Sequence, residues 1–434
     1  MKKVFLCVVV LSAIFFQNCQ NNANSKLKTD NSQLTFHQAA EFEPTEAVWL
    51  LWSNYDHREG MSNSHVTLDI IAALVPHVNV RLVVKDSLTL QKVKTLVPKA
   101  VLDGGKLTFL TLPYREFWAR DMGPAFVVGT DGKLGMADFQ FNGWGYSDTL
   151  DATTRLDEKL DERIAAVLGL KTISTDLITE GGDHEVNGRG TMLACEAVER
   201  TRNPDWSLAE IEAEFRRVLG VKKIIWLKKG LNEDDHTSDG ALTDEKNERV
   251  YTVLTTNGHV DEFARFVNPT TVLLAEADSS DLKDPINREN LKRLSENYAI
   301  LKTSTDQDGK PLTILRLPLP LPMVATMKPN DGVYDIIKTF KYSDGSTFPT
   351  GKPVKVIAAA SYNNFLIAND VVLMPKYWRK GLDLRIKTRD EAAQAVLKSV
   401  FPDKKIVAID ALAVNFGGGG MHCITRNQPK EIRN

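Results

Sequence analysis

Cysteine is scarce in this chain. The 434 residues contain four, Cys7, Cys19, Cys195 and Cys423. Cys195 and Cys423 alone do not make a disulfide framework, although an oxidising compartment would permit one bridge between them. A charge excess of either sign is also missing. The formal net charge is -2, which argues against broad electrostatic capture of nucleic acid. No H-x-x-x-H or C-x-x-C spacing occurs, so these common metal motifs are absent. No calcium-loop spacing appears either. Beyond residue 16 no apolar run is long enough to span a bilayer. No exact repeat is visible at a fixed period.

The N-terminus stands apart. Met1-Lys2-Lys3 is a short basic region, and residues 4–16 form an apolar run of secretory length. Gln17-Asn18-Cys19 follows, then a polar stretch rich in Asn and Ser. The pattern resembles a bacterial lipoprotein signal, with Cys19 as the lipidated residue and membrane anchor. Phe16 and Asn18 sit where small residues are usual, so plain secretion is the competing expectation. Either way the expected location is the cell envelope, the periplasm or outside the cell. The expected division is a signal at 1–19, a polar linker at 20–36 and one catalytic domain at 37–434.

Hydrophobic residues make up 43% of the chain, enough for a large core. β-branched and apolar runs predict strands at 78–84, 106–112, 125–128, 222–227, 271–275, 312–315, 354–359 and 405–409. Amphipathic helices are expected between them, at 156–168, after Ser207 to Leu219, at 288–300 and at 389–400. Ser207 and Glu210 form a capping-box pair. The alternation argues an α/β fold, and about five strand-plus-helix modules would fit the length. Cys195 ends the apolar run 191–195 and reads as core. The acidic stretch 232–247 reads as an exposed insertion loop, with a cation site as its alternative.

Four segments carry residues suited to chemistry. Gly417-Gly418-Gly419-Gly420-Met421-His422-Cys423 presents a thiol after a glycine-rich turn, either a nucleophile or a buried inert cysteine. Trp118-Ala119-Arg120-Asp121 brings an aromatic face and a carboxylate together, which suits a planar cation. Glu180-Gly181-Gly182-Asp183-His184-Glu185 packs carboxylates and a histidine into one turn. In Gly258-His259-Val260-Asp261, an extended backbone would put His259 and Asp261 on one face, as acid–base catalysis requires.

In this order, W-x-R-D-x-G-P, E-G-G with N-G-x-G-T, G-H-V-D-x-x-A-R-F-V and G-G-G-G-x-H-C-I-T-x-x-x-P resemble the agmatine deiminase family. That family is close kin to the Porphyromonas-type peptidylarginine deiminases. Ala40-Glu41-Phe42-Glu43-Pro44 and Ala360-Ser361-Tyr362-Asn363-Asn364-Phe365 match as well. The resemblance implies a five-bladed α/β propeller (pentein) of ββαβ modules around a central active site. It implies Cys423 as nucleophile, His259 as general acid and base, and Asp121 and Asp261 as the guanidinium clamp. Glu180 matches a carboxylate near the histidine. Trp118, Glu185 and Asn364 are expected at the substrate. No metal and no cofactor are implied, because a guanidinium carries its own charge. The expected partner is a small guanidino compound, agmatine ahead of free or peptidyl arginine, with no nucleic acid.

The chain departs from the family at Asp183-His184-Glu185-Val186-Asn187 and at Phe141-Asn142-Gly143-Trp144-Gly145-Tyr146, where the far end of a substrate would be read. Asp183 and Glu185 there favour a cationic tail, and Arg189 an anionic one. The competing functions are an amidinotransferase, an inactive propeller and a metal hydrolase using His184, His259, Asp261 and His422.

Overall fold

Strand Thr45–Leu51 shows the pattern that organises the molecule. It pairs antiparallel with Thr425–Pro429 and parallel with Asn79–Val84, reached through helix Asn63–Leu74. The computed structural model describes residues 35–432. The expected signal at 1–19, with Cys19, and nearly all of the 20–36 linker lie outside the described residues.

Four more sheets repeat the arrangement. Ala125–Gly129 pairs antiparallel with Leu134–Gln140, which pairs parallel with Lys171–Ile178. Glu185–Val186, Thr191–Cys195 and Lys223–Leu227 follow the same rule. So do Ala264–Asn268, Thr271–Glu276 and Thr313–Pro318, and Leu366–Ala368, Val371–Lys376 and Lys405–Asp410. In each, helices cross from the second strand to the third, the βαβ connection that parallel strands require. The fold is mixed α/β, with five ββαβ units.

Local chemistry explains the elements. Central strands such as Val371–Lys376 are apolar runs buried on both faces. Helix Leu208–Leu219 starts at Ser207, whose Oγ accepts the Glu210 N–H at 3.3 Å while Glu210 accepts the Ser207 N–H at 2.8 Å. Such a cap contributes about 1 kcal/mol. Ile211, Phe215, Val218 and Leu219 form its buried face, each stabilising by roughly 1.5–3 kcal/mol. The expected helix at 156–168 is broken at Lys159 into Thr154–Glu158 and Leu160–Leu168. Cys195 is fully buried, as expected, and both it and Cys423 are free thiols.

A sixth sheet joins Leu242–Thr243, Arg249–Thr252, Val354–Ile357 and Val324–Met327. It corrects the expectation for 232–247. Glu233 and Asp234 are buried, not exposed. Asn290 donates to Glu233 at 2.7 Å, and Arg293 pairs with Asp235 at 2.6 Å. Internal partners take up the acids at 233–235, while Asp239 and Glu245 are exposed as expected.

Candidate active site

Each of the five units opens on a residue singled out by its chemistry. Asp121 stands just before strand Ala125–Gly129, and Glu180 before Glu185–Val186. Asp261 precedes Ala264–Asn268, Asn364 precedes Leu366–Ala368, and Cys423 precedes Thr425–Pro429. Equivalent corners of five units thus supply the site.

Cys423 is 2% exposed. The Asn364 amide Nδ2 donates to its Sγ at 3.2 Å, and the Gly420 N–H does so at 3.4 Å. Close approach explains the glycine before it: a Cβ on Gly419 would lie 3.0 Å from Sγ and 2.9 Å from the Trp118 ring. Burial, then the charges of Asp261, Glu262 and Asp121, push the thiol well up from its usual range. These influences favour the thiol, and a cation beside it favours the thiolate.

His259 is 1% exposed. Its Nε2 meets Glu180 Oε2 at 3.1 Å, and its Nδ1 lies 3.9 Å from Asp121 Oδ1 with no hydrogen-bond partner. Burial alone would lower its pKa, but Asp121, Glu180 and Asp261 outweigh this and raise it to about 10. Glu180 is held by Arg202, whose Nε donates at 2.7 Å. Burial opposes the Glu180 charge, yet Arg202 and His259 bring its pKa down to about 2. Gly182 must be small here, since a Cβ would stand 2.4 Å from His259 Nδ1.

The two clamp carboxylates are fixed differently. Asp121 accepts the Trp144 indole N–H at 2.8 Å and the Gly182 N–H at 2.9 Å. Burial raises its pKa, aided by Glu180 and Asp261 and opposed by His259 and Trp144. Asp261 Oδ2 meets His422 Nδ1 at 2.7 Å, while its Oδ1 is buried without a partner. Burial opposes the Asp261 charge, but the His422 hydrogen bond and charge keep it below the usual range. His422 Nε2 reaches Glu41 Oε2 at 2.6 Å. Glu41 in turn pairs with Arg120 and Arg265, each at 3.0 Å.

Glu185, expected at the far end of the substrate, is bound to internal partners. Its Oε2 accepts from Arg265 Nε at 2.7 Å and its Oε1 from the Phe266 N–H at 2.8 Å. Asp183 is likewise structural, accepting the N–H groups of Cys195 and Val260. Arg189 is exposed at a loop tip. Asp183 and Glu185 thus spend their carboxylates on internal partners. His184 bonds Thr179 at 2.8 Å, and burial first, then Arg426, lowers its pKa to about 3. It is a neutral packing residue beside Phe139 and Phe215.

Asn364 stands against the thiol, while Trp118 forms a wall, stacked on Phe117 at 4.8 Å and edge-on to Trp144. Trp118 and Gly417 also line a cavity of about 610 Å³ with Tyr55, His57, Arg115 and Glu116. Asp261, Glu262 and Cys423 place donor atoms within 4.8 Å of one another, so the cluster has the character of a cation site. The sequence pointed to His422 only as a ligand in the metal-hydrolase alternative, and to no role for Glu41, Arg265, Glu262 or Trp144. Glu41 and Arg265 lay inside quoted motifs, which was the available signal.

A buried thiol, an imidazolium and two carboxylates around an unfilled acceptor define a cysteine–histidine–carboxylate site made for a cation. The chain belongs to the Porphyromonas-type peptidyl-arginine deiminase family, whose model matches residues 37–243 and 248–429. It is thereby a guanidine-group hydrolase. It is 30% identical over 400 residues to an agmatine deiminase of Pseudomonas aeruginosa, covering 91% of this chain and 95% of that one. It is also 30% identical over 408 residues to an agmatine deiminase of Medicago truncatula, covering 91% and 96%. The solved agmatine deiminase of Enterococcus faecalis superposes with a TM-score of 0.71 at 27% identity, over 92% of this chain and 96% of that one.

Proposed function

We propose that the protein hydrolyses the guanidinium of agmatine to N-carbamoylputrescine and ammonia, through a covalent intermediate on Cys423. The observation that carries this is the Asp261 carboxylate, whose Oδ2 lies 3.8 Å from Cys423 Sγ while its buried Oδ1 has no hydrogen-bond partner. A planar cation satisfies both carboxylates, and its charge lowers the cost of forming the thiolate.

The thiolate attacks the central carbon, giving a tetrahedral adduct. His259, protonated in the free site, donates a proton to the departing nitrogen, and ammonia leaves. The neutral imidazole then takes a proton from water, which attacks the thiouronium carbon. Collapse expels Cys423 and leaves a ureido product. Glu180 keeps the imidazole in place for both transfers. Trp118 covers the guanidinium plane.

The five ββαβ units are read as the blades of one propeller, closed around this site in a single catalytic domain. Export, with lipid attachment at Cys19, is proposed on the N-terminal sequence alone. Agmatine is favoured by the named relatives. A second substrate reading, arginine or peptidyl arginine giving citrulline, is favoured by Lys85 and Arg115, which line the same cavity as Glu116.

Ammonia release from agmatine, arginine and peptides with internal or C-terminal arginine tests the proposal. Agmatine should give the highest kcat/KM. A marked preference for arginyl peptides would reverse the substrate assignment, and no release from any of them would remove the reaction.

A further inference from the structure

His259 is a poor acceptor for the Cys423 proton. That ring lies between Glu180 and Asp121 and is already protonated, and an imidazolium accepts nothing. Asp261 Oδ2 is 3.8 Å from Sγ but is bound to His422. One other carboxyl oxygen lies as near. Glu262 Oε1 stands 3.7 Å from Sγ, on a side chain only 4% exposed. The Asn364 Nδ2 group bridges the two, 2.9 Å from Oε1 and 3.2 Å from Sγ. Ser361 Oγ donates to the Glu262 carbonyl and fixes the local backbone.

We propose that Glu262 is a further catalytic residue, the base that receives the Cys423 proton once a guanidinium occupies the site. The proposal rests on Cys423 as the nucleophile. The S–H bond breaks, an O–H bond forms on Glu262, and the sulfur electron pair is left to bond the guanidinium carbon. When the ureido product departs, Sγ leaves as thiolate and recovers that proton from Glu262. No oxidant or other reactant is involved.

The surroundings of Glu262 make its proton affinity respond to substrate. Asp261, Asp234, His259, Cys423 and Tyr377 face it. Burial, then the Asp261 and Asp234 charges, hold its proton well above the usual carboxyl range, with His259 opposing. An arriving cation acts in the same sense as His259. A bound cation therefore lowers the proton affinity of the Glu262–Cys423 pair, so that one proton is released to solvent and the remaining one moves from sulfur to oxygen.

The test is the pH profile of Glu262→Gln, which keeps an acceptor for Asn364 but has no base. Near neutral pH its kcat should fall by about 10²-fold or more with KM little changed, the range expected for a lost general base. The deficit should shrink steadily toward pH 9, as hydroxide replaces the carboxylate. A deficit equal at every pH, or a wild-type kcat, would overturn the proposal. Should the glutamine variant not fold, the isosteric pair Glu262→Asp and Glu262→Asn decides. The Asp variant should be at least about tenfold faster near neutral pH, and equal rates would overturn the proposal. Cys423→Ser is run alongside. If it retains turnover, the nucleophile assignment fails; if it is dead while Glu262→Gln is normal, only the role of Glu262 fails.

Discussion

His422 Nδ1 meets Asp261 Oδ2 at 2.7 Å, one residue from the thiol. The other ring nitrogen meets Glu41 at 2.6 Å. A single imidazole therefore joins a carboxylate of the site to a buried network of Glu41, Arg120 and Arg265. His422→Ala should leave two buried carboxylates short of a partner. The expected loss is about 3–5 kcal/mol of stability, read by denaturant unfolding, together with a raised KM, because Asp261 loses the group that keeps it ionised. A variant with wild-type stability and KM would contradict the coupling.

The pH dependence follows from His259 and Glu180. His259 is raised to about 10, against burial, by Asp121, Glu180 and Asp261. A raised group contributes stability that is complete below its unfolded value and is lost as pH rises through its folded one. That contribution should start to fall above the ordinary value of 6.5 and be gone by about 10. Glu180 is depressed to about 2, against burial, by Arg202 and His259. Its contribution is complete above the ordinary 4.5 and is lost as pH falls through about 2. Tm and kcat measured against pH should show the alkaline limb, and Glu180→Gln should move that limb toward neutral pH.

Asp234 is expected to matter, unlike its sequence neighbour Asp244. It accepts from Thr256 N at 3.2 Å, Thr256 Oγ1 at 3.0 Å and Gly258 N at 3.1 Å, and so braces the turn that carries His259. Asp234→Asn should cost about 1–3 kcal/mol by leaving buried donors poorly paired. It should also lower kcat. Asp244→Asn, whose partner Lys355 is at the surface, should stay within about 0.5 kcal/mol. An Asp234→Asn variant as silent as Asp244→Asn in thermal melts and rate assays would contradict the bracing role.

On the proposed reading the substrate tail enters the cavity beyond Trp118. Glu116→Gln should then raise KM for agmatine with little change in kcat, because it removes the carboxyl that lines this cavity. Glu185→Gln should instead destabilise the fold, through its pairing with Arg265 at 2.7 Å, and leave the ranking of agmatine and arginine unchanged. A changed ranking in Glu185→Gln would restore it as a specificity residue.

The contrast between Asp121 and Glu185 shows what could be read in advance. Asp121, Glu180, Asp261, Asn364 and Cys423 each open a ββαβ unit, so each lies in a short stretch dense with glycine or aromatic residues that stands out in one dimension. Strands 125–129 and 271–276 were legible because buried central strands are apolar nearly throughout. Glu185 looked free because its partner Arg265 is 80 residues away. Asp234 looked solvated for the same reason, since Thr256 and Gly258 are supplied by a later segment. Glu262 drew no role, as its 3.7 Å contact with Sγ spans 161 residues. Local spacing carries no information on such pairs.

Covalent capture tests the central claim most directly. Wild-type protein is mixed with agmatine, quenched in acid during turnover and digested for mass spectrometry. The peptide containing Cys423 should carry the added mass of the thiouronium, and the peptide with the buried Cys195 should carry none. Cys423→Ser should show neither adduct nor ammonia release. An adduct on Cys195, or undiminished turnover in Cys423→Ser, would contradict the assignment of Cys423 as nucleophile.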